Sequence, residues 1–261
     1  MTETIRFDDG AAYERYMGAW SRLVGEQFLA WLAPRDGLRW LDVGCGNGAF
    51  TEMIVERHAP SAVDGIDPSE AQLAYARERA STHQARFHVG DAMALPFPDD
   101  AFDIAIMPLV IFFVPEPATG VAEMVRTVCP GGTVAAYAWD MPGGGFPYAP
   151  LQAEMRKIGV SPAMAPSPDA SRIDAMRSLW TGAGLAGMET RPITVQRTFA
   201  DFDDYWSTVL GGPSMARQLQ AMTPGDLATL KSRMLERLPA DASGRITCSA
   251  RANAITGRVP I

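Results

Sequence analysis

Cysteine and histidine are scarce in this chain, and no stretch of it is basic. The three cysteines, Cys45, Cys129 and Cys248, lie far apart and in no Cys-x-x-Cys spacing, which excludes a disulfide framework and a cysteine zinc site. They read as reduced thiols in or near the core. His, Cys and carboxylates nowhere cluster at ligand spacing, so no metal is expected. A net charge of -7 without a run of Lys and Arg argues against a surface that tracks phosphates, and nucleic acid is not expected as a partner. The longest apolar run, Ala105 to Val114, is broken by Pro108 and is too short to span a bilayer. Residues 1–9 lack the basic start and apolar centre of a signal peptide. A cytoplasmic protein with no membrane insertion is the expectation, and an oligomer is compatible with the sequence.

What is present is an ordinary globular composition, 47% hydrophobic and 20% charged over 261 residues, enough for one α/β domain with insertions. Met17, Trp20, Val24, Phe28 and Trp31 stand at three- and four-residue spacing, which predicts an amphipathic leading helix over 14–33. Strand-like runs follow at 38–43, 62–67, 86–89, 102–107 and 133–139. Between them lie helical stretches at 48–58, at 71–80 behind a Ser69/Gln72 capping box, and at 117–128. Pro130-Gly-Gly reads as the turn into the fifth strand. This alternation predicts an α/β, doubly wound, mostly parallel sheet with helices on both faces.

Residues 141–170 hold six of the twenty prolines and the run Gly143-Gly144-Gly145. They read as a loop-rich insertion with one short helix at 151–158, lying over a pocket. A helix at 169–183 and a strand at 188–198 follow. Residues 201–238 read as helices broken at Gly211-Gly-Pro and Pro224, with Thr223 as a cap. A C-terminal strand, antiparallel to the rest, is expected at 245–255.

The chemistry concentrates where the first strand turns into the first βα helix, in Asp42-Val-Gly44-Cys-Gly46-Asn-Gly48. Glycines there allow close backbone approach, and the helix start offers N–H groups to an anion. Two ligands fit this pattern. Gly44-x-Gly46-x-x-Ala49 with Asp67 further on matches the dinucleotide fingerprint of an NAD(P)-dependent oxidoreductase. Asp42 favours the other ligand: at the strand end its carboxylate repels a pyrophosphate and attracts a ligand carrying ammonium and sulfonium charges.

Four ordered stretches, LDVGCGNG (41–48), GIDPS (65–69), GDAMALPF (90–97) with Phe102-Asp103 after it, and VRTVCPGG (125–132), resemble the class I S-adenosylmethionine-dependent methyltransferases of the small-molecule type, the broad group that includes quinone-biosynthesis enzymes. The resemblance implies a Rossmann-like fold, S-adenosyl-L-methionine as methyl donor with S-adenosyl-L-homocysteine as product, and a small-molecule methyl acceptor. It implies that Asp42, Gly44 and Gly46, with Cys45 between them, hold the methionine portion. Asp67, with Pro68 beside it, takes the ribose hydroxyls; Asp91 with the Ala92 backbone reads the adenine; Met107 borders the cofactor. Residues 13–22 resemble a helix that closes over the cofactor, with Tyr16 and Arg22 facing it, the guanidinium near its carboxylate. An aromatic stripe packed on the sheet is the alternative there.

On this reading residues 1–261 form one domain. Residues 1–37 are its N-terminal cap helix, 38–140 its cofactor-binding half, and 141–170 and 201–238 are insertions over the acceptor site. The stretch Met107 to Val114 lacks the histidine pair and polar residues common among similar enzymes, so no base is expected in it. Tyr13, Tyr137, Asp140, Tyr148 and Tyr205 are the candidate bases if the acceptor is a hydroxyl. His58, His83 and His88 read as surface or packing residues. A non-catalytic member of the fold that binds S-adenosylmethionine remains a further alternative.

Overall fold

The computed structural model describes residues 14–261; Tyr13 and the segment before it lie outside the described residues. A π-helical turn, Glu14–Gly18, leads into α1 (Ala19–Leu32). Then come β1 (Arg39–Val43), α2 (Ala49–His58), β2 (Ala62–Asp67), α3 (Glu70–Glu78), β3 (Ala85–Val89), β4 (Phe102–Pro108), α4 (Pro117–Thr127) and β5 (Val128–Trp139). The C-terminal part carries α5 (Ala149–Lys157), α6 (Ile173–Gly182), β6 (Ala186–Phe199), α7 (Phe202–Leu210), α8 (Pro213–Gln220), α9 (Pro224–Arg237) and β7 (Ile246–Arg258).

The strands form one seven-stranded sheet in the order β3-β2-β1-β4-β5-β7-β6. β7 is antiparallel to both of its neighbours and the other pairings are parallel. The central strands are buried on both sides: Leu41, Val43, Ile104, Ala105, Ile106 and Val134 to Ala138 are all at or near zero exposure. That is the continuous apolar run expected of parallel strands covered by helices. α1 packs on α2, β6 and β7, whereas α4 packs on β4 and β5, and α6 on β6, β7 and α4. Right-handed crossovers in both directions from β1 put these two groups on opposite faces. Trp180 of α6 donates its indole N–H to the Val134 carbonyl at 3.0 Å. No helix among the described residues is long and apolar enough to cross a membrane.

Two expectations need correction. Pro130-Gly131-Gly132 is not a turn but a bulge within β5, where the register to β4 shifts between Phe102 and Ile104. Gly131, at φ +78°, adopts a conformation open to glycine, and its N–H still reaches the Val259 carbonyl at 2.8 Å. The helix expected over 169–183 begins as a 3-10 turn, Pro168–Ser171, and restarts as α6 after Arg172, whose backbone is extended. The caps at Ser69 and Thr223 form as the sequence suggests, accepting from the backbone N–H groups of Gln72 and Asp226.

Candidate functional site

The strand order reverses between β1 and β4, and a sheet that reverses there opens a crevice beyond the carboxyl ends of those strands. The glycine loop 44–48 fills one side of it. Its first two N–H groups, of Gly44 and Cys45, donate to the Ile66 carbonyl at 2.7 and 3.0 Å, and the Gly48 N–H closes the turn on the Cys45 carbonyl at 2.9 Å. Gly44 sits at φ +74°, and a Cβ there would fall 2.4 Å from Val110 Cγ2. Leu109, itself left-handed at φ +59°, donates to the Tyr137 carbonyl at 2.7 Å and so turns the chain after β4 to seat Val110 against Gly44. Gly46 differs: it is also left-handed, at φ +52°, but nothing lies within 4 Å of the position its Cβ would take.

Two carboxylates flank this loop. Asp42 has no exposed surface; Thr51 of α2 donates its hydroxyl to Oδ2 at 2.6 Å, and Oδ1 is buried with no hydrogen-bond donor among the described residues. Burial above all, with the nearby Asp67 adding to it against the Thr51 hydrogen bond, pushes the Asp42 carboxyl up to about 7. Asp67, at the end of β2, accepts from the Gly46 N–H at 3.0 Å and from the Ser69 N–H at 2.9 Å. Burial raises its pKa as well, against those two hydrogen bonds.

A native state that keeps a proton the unfolded chain has lost becomes less stable as pH rises between the two pKa values. For Asp42 that window runs from the ordinary carboxyl value of 3.8 to about 7. We expect the stability of the unliganded wild type relative to Asp42→Asn to fall from pH 5 to pH 7 with a slope approaching about 1.4 kcal/mol per pH unit, then to level. Denaturant unfolding of both proteins at several pH values measures the difference; a difference independent of pH contradicts the assignment.

The remaining expected site residues separate into two groups. Pro68 stands exposed at the rim beside Asp67, and Asp91, also exposed, accepts from the Met93 N–H at 2.8 Å in the turn after β3, with Ala92 half-buried next to it. Tyr16 packs on Tyr148: its ring stacks there at 4.4 Å, and its carbonyl accepts the Tyr148 hydroxyl at 2.9 Å. Arg22 does not join the site. It is half exposed on the outer side of α1, with its guanidinium 3.9 Å from Glu26 and 3.8 Å from Glu56. Met107 is buried in β4 with its terminal methyl toward Gly120 of α4, not toward the glycine loop. The Cys45 side chain is a packing group against Gly65, and burial, then Asp42 and Asp67, push its thiol well above the ordinary range.

Three further residues hold the glycine loop. Glu14 Oε2 accepts from Asn47 Nδ2 at 2.9 Å and from Arg79 Nη2 at 2.6 Å. Arg79 also donates from Nε to the Asn47 carbonyl at 2.6 Å and from Nη1 to Glu52 at 2.8 Å. The leading turn is thereby fixed to the loop it faces.

None of the candidate bases among the described residues is poised. Tyr137 is buried between Phe28 and Phe50 in the core. Asp140 is paired with Arg251 at 2.5 Å and accepts from the Gly143 N–H. Burial raises the Tyr148 and Tyr205 phenols above their ordinary range. Tyr13 lies outside the described residues. His58 stacks on Trp40, with its pKa lowered chiefly by burial, His83 is exposed on a loop, and His88 pairs with Asp64 on the outer strands.

Residues 41–136 match the model of a family described as a methyltransferase domain. A ubiquinone/menaquinone biosynthesis C-methyltransferase of Roseobacter denitrificans is 36% identical over 115 residues, which are 42% of this chain and 46% of the relative. Trans-aconitate 2-methyltransferase of Variovorax paradoxus is 34% identical over 48% of this chain and 47% of its own. The matched stretches thus span about half the length of these relatives. Among solved structures, the YcgJ protein of Bacillus subtilis superposes at a TM-score of 0.61 with 18% identity, covering 91% of this chain and 98% of the other. Phosphoethanolamine N-methyltransferase 2 of Haemonchus contortus, solved with S-adenosyl-L-methionine, gives 0.59 with 18% identity over 96% and 56%. At such identities the superpositions establish the fold. Residues 41–136 thus carry a methyltransferase-domain match on a sheet of the fold that these structures share.

Proposed function

We propose that this chain, built on a class I methyltransferase domain, is an enzyme that transfers a methyl group from S-adenosyl-L-methionine to a small molecule. The observation that carries the reading is the buried Asp42 carboxylate, one oxygen on Thr51 and the other without a donor among the described residues, beside the open space at Gly46. A buried acceptor atom of this kind calls for a donor, and a ligand ammonium meets that need. Asp42 and Asp67 together make the crevice repel a pyrophosphate, which tells against a nicotinamide cofactor in the same loop. Asp42 and the backbone of residues 44–46 would hold the methionine portion. Asp67 with Pro68 would take the ribose hydroxyls through its remaining lone pairs, and Asp91 with Ala92 the adenine edge.

When bound, S-adenosyl-L-methionine supplies an electrophilic methyl on a sulfonium, displaced in line by the acceptor. The protein's part is alignment and exclusion of water. We read the segment 141–170 as serving that role from above the acceptor site: its Ser167 donates from N–H and hydroxyl to the Phe112 and Pro115 carbonyls at 3.0 and 3.2 Å, which ties it to the turn after β4. With no base poised among the described residues, the acceptor arrives as a ready nucleophile: an ionised oxygen, a thiolate or a neutral amine. The acidic chain, free of basic runs, fits a cytoplasmic enzyme that acts on metabolites and not on nucleic acid.

The test is a thermal one. S-adenosyl-L-homocysteine at about 100 times its Kd should stabilise the folded state by about 2.7 kcal/mol, a rise in Tm of roughly 5–10 °C for a chain of this size. NADP+ at the same concentration should give none. A shift with NADP+ alone overturns the reading.

A further inference from the structure

The last six residues of β6 alternate in burial: Val195, Arg197 and Phe199 face inward, Thr194, Gln196 and Thr198 outward. Arg197 therefore puts a guanidinium on the inward side of an otherwise apolar stripe, and it is directly opposite the buried Cys248 in the β6–β7 register. Pairing of β5 with β7 ends at Trp139 and Ala252, whereas β6 and β7 stay paired to Phe199 and Ile246. Arg197 thus stands on a two-stranded antiparallel ribbon that overhangs the carboxyl end of the sheet, the end that holds the glycine loop.

The guanidinium lies 4.6 Å above the Phe199 ring, and the Tyr148 phenol and Cys248 thiol both lie within its field. Its Nη1 is buried and meets no hydrogen-bond acceptor among the described residues. The Trp20 indole N–H is directed at the Tyr148 phenol. This cluster is continuous with the donor crevice: Glu14 binds Asn47 of the glycine loop, and two residues on Tyr16 stacks on Tyr148. A buried donor of a cation left without an acceptor is costly, and this one, set among aromatic side chains, calls for an anion.

We propose that Arg197 receives a carboxylate of the methyl acceptor, so that the substrate class is a small organic acid with an apolar or conjugated body. The planar fork of arginine matches a carboxylate through two parallel hydrogen bonds, and Phe199, Tyr148 and Tyr205 offer the apolar walls. This rests on the methyl-transfer reading of the crevice.

The test titrates the protein, saturated with S-adenosyl-L-homocysteine, with benzoate, cinnamate and malonate, each against its own amide. The wild type should bind at least one acid ten times or more tighter than the amide, on the order expected for a charge-assisted pair. Arg197→Met should lose that preference and Arg197→Lys keep part of it, both with S-adenosyl-L-homocysteine affinity within about twofold of the wild type. Unliganded Arg197→Met should melt no lower than the wild type, since removing a guanidinium whose buried Nη1 has no acceptor among the described residues offsets the lost contact with the Phe199 ring. No acid preference in the wild type, acid binding unchanged in Arg197→Met, or a lowered Tm in that variant, as for a guanidinium held by the chain itself, each overturns the proposal. Failure of the wild type to bind S-adenosyl-L-homocysteine would instead remove the reading beneath it.

Discussion

Asp42→Asn should bind S-adenosyl-L-homocysteine on the order of 30-fold to several thousandfold more weakly than the wild type. Removing one partner of a buried, hydrogen-bonded charge pair costs about 2–5 kcal/mol, because the other charge is left in a site built for it. The asparagine carbonyl can still accept from the Thr51 hydroxyl that now reaches Oδ2 at 2.6 Å, so the helix start that Thr51 occupies keeps its tie. The loss is specific to a cationic ligand, and at pH 8 the unliganded variant should be at least as stable as the wild type, whose carboxyl is by then ionised in a buried place. A binding isotherm and a melt on the same preparation read both quantities. An Asp42→Asn protein that binds as tightly as the wild type takes the carboxylate out of ligand recognition.

The two glycines of the loop should part company when each becomes alanine. At Gly44 a left-handed backbone and a 2.4 Å approach to Val110 coincide. Strain of about 1–2 kcal/mol and overpacking of about 1–3 kcal/mol together lower Tm by roughly 5–15 °C, and displacing Val110 deforms the crevice. At Gly46 the backbone is equally left-handed but the space is open. Gly46→Ala should therefore lose only about 1–2 kcal/mol of stability, while its methyl occupies room meant for the ligand and weakens S-adenosyl-L-homocysteine about tenfold or more. If the two variants fall equally in stability and neither loses affinity, the open space at Gly46 is not the ligand's.

The glycine loop and its two flanking carboxylates are legible in the sequence because their determinants are local: a glycine loop after an apolar strand, an acid at each strand end, and caps three residues from their partners. Asp67 accepts from Ser69 in the turn after β2 and from Gly46 in the glycine loop, so its substitution bears on stability as well as on binding. Contacts distant in sequence were not legible. Glu14, Asn47 and Arg79 meet across 33 and 65 residues, and nothing in their neighbourhoods announces it. Arg22 was misjudged with its signal in view: two positions beyond Trp20, it falls off the Met17, Trp20, Val24, Phe28 stripe and so onto solvent. Pro130-Gly131-Gly132 punctuates like a turn, yet a left-handed Gly131 lets the strand carry on through a bulge. Arg197 was readable as a charge in phase with Ile193, Val195 and Phe199, but only once the strand's inward side is known, and a one-residue slip reverses it.

The crevice between β1 and β4 is proposed to bind an S-adenosyl ligand through Asp42 and the glycine loop. Calorimetric titration of the unmodified protein with S-adenosyl-L-homocysteine at pH 8, with NADP+ alongside, tests it most directly. Saturable one-to-one binding of S-adenosyl-L-homocysteine and no heat from NADP+ are expected; binding of NADP+ with none of S-adenosyl-L-homocysteine would overturn the assignment of the crevice.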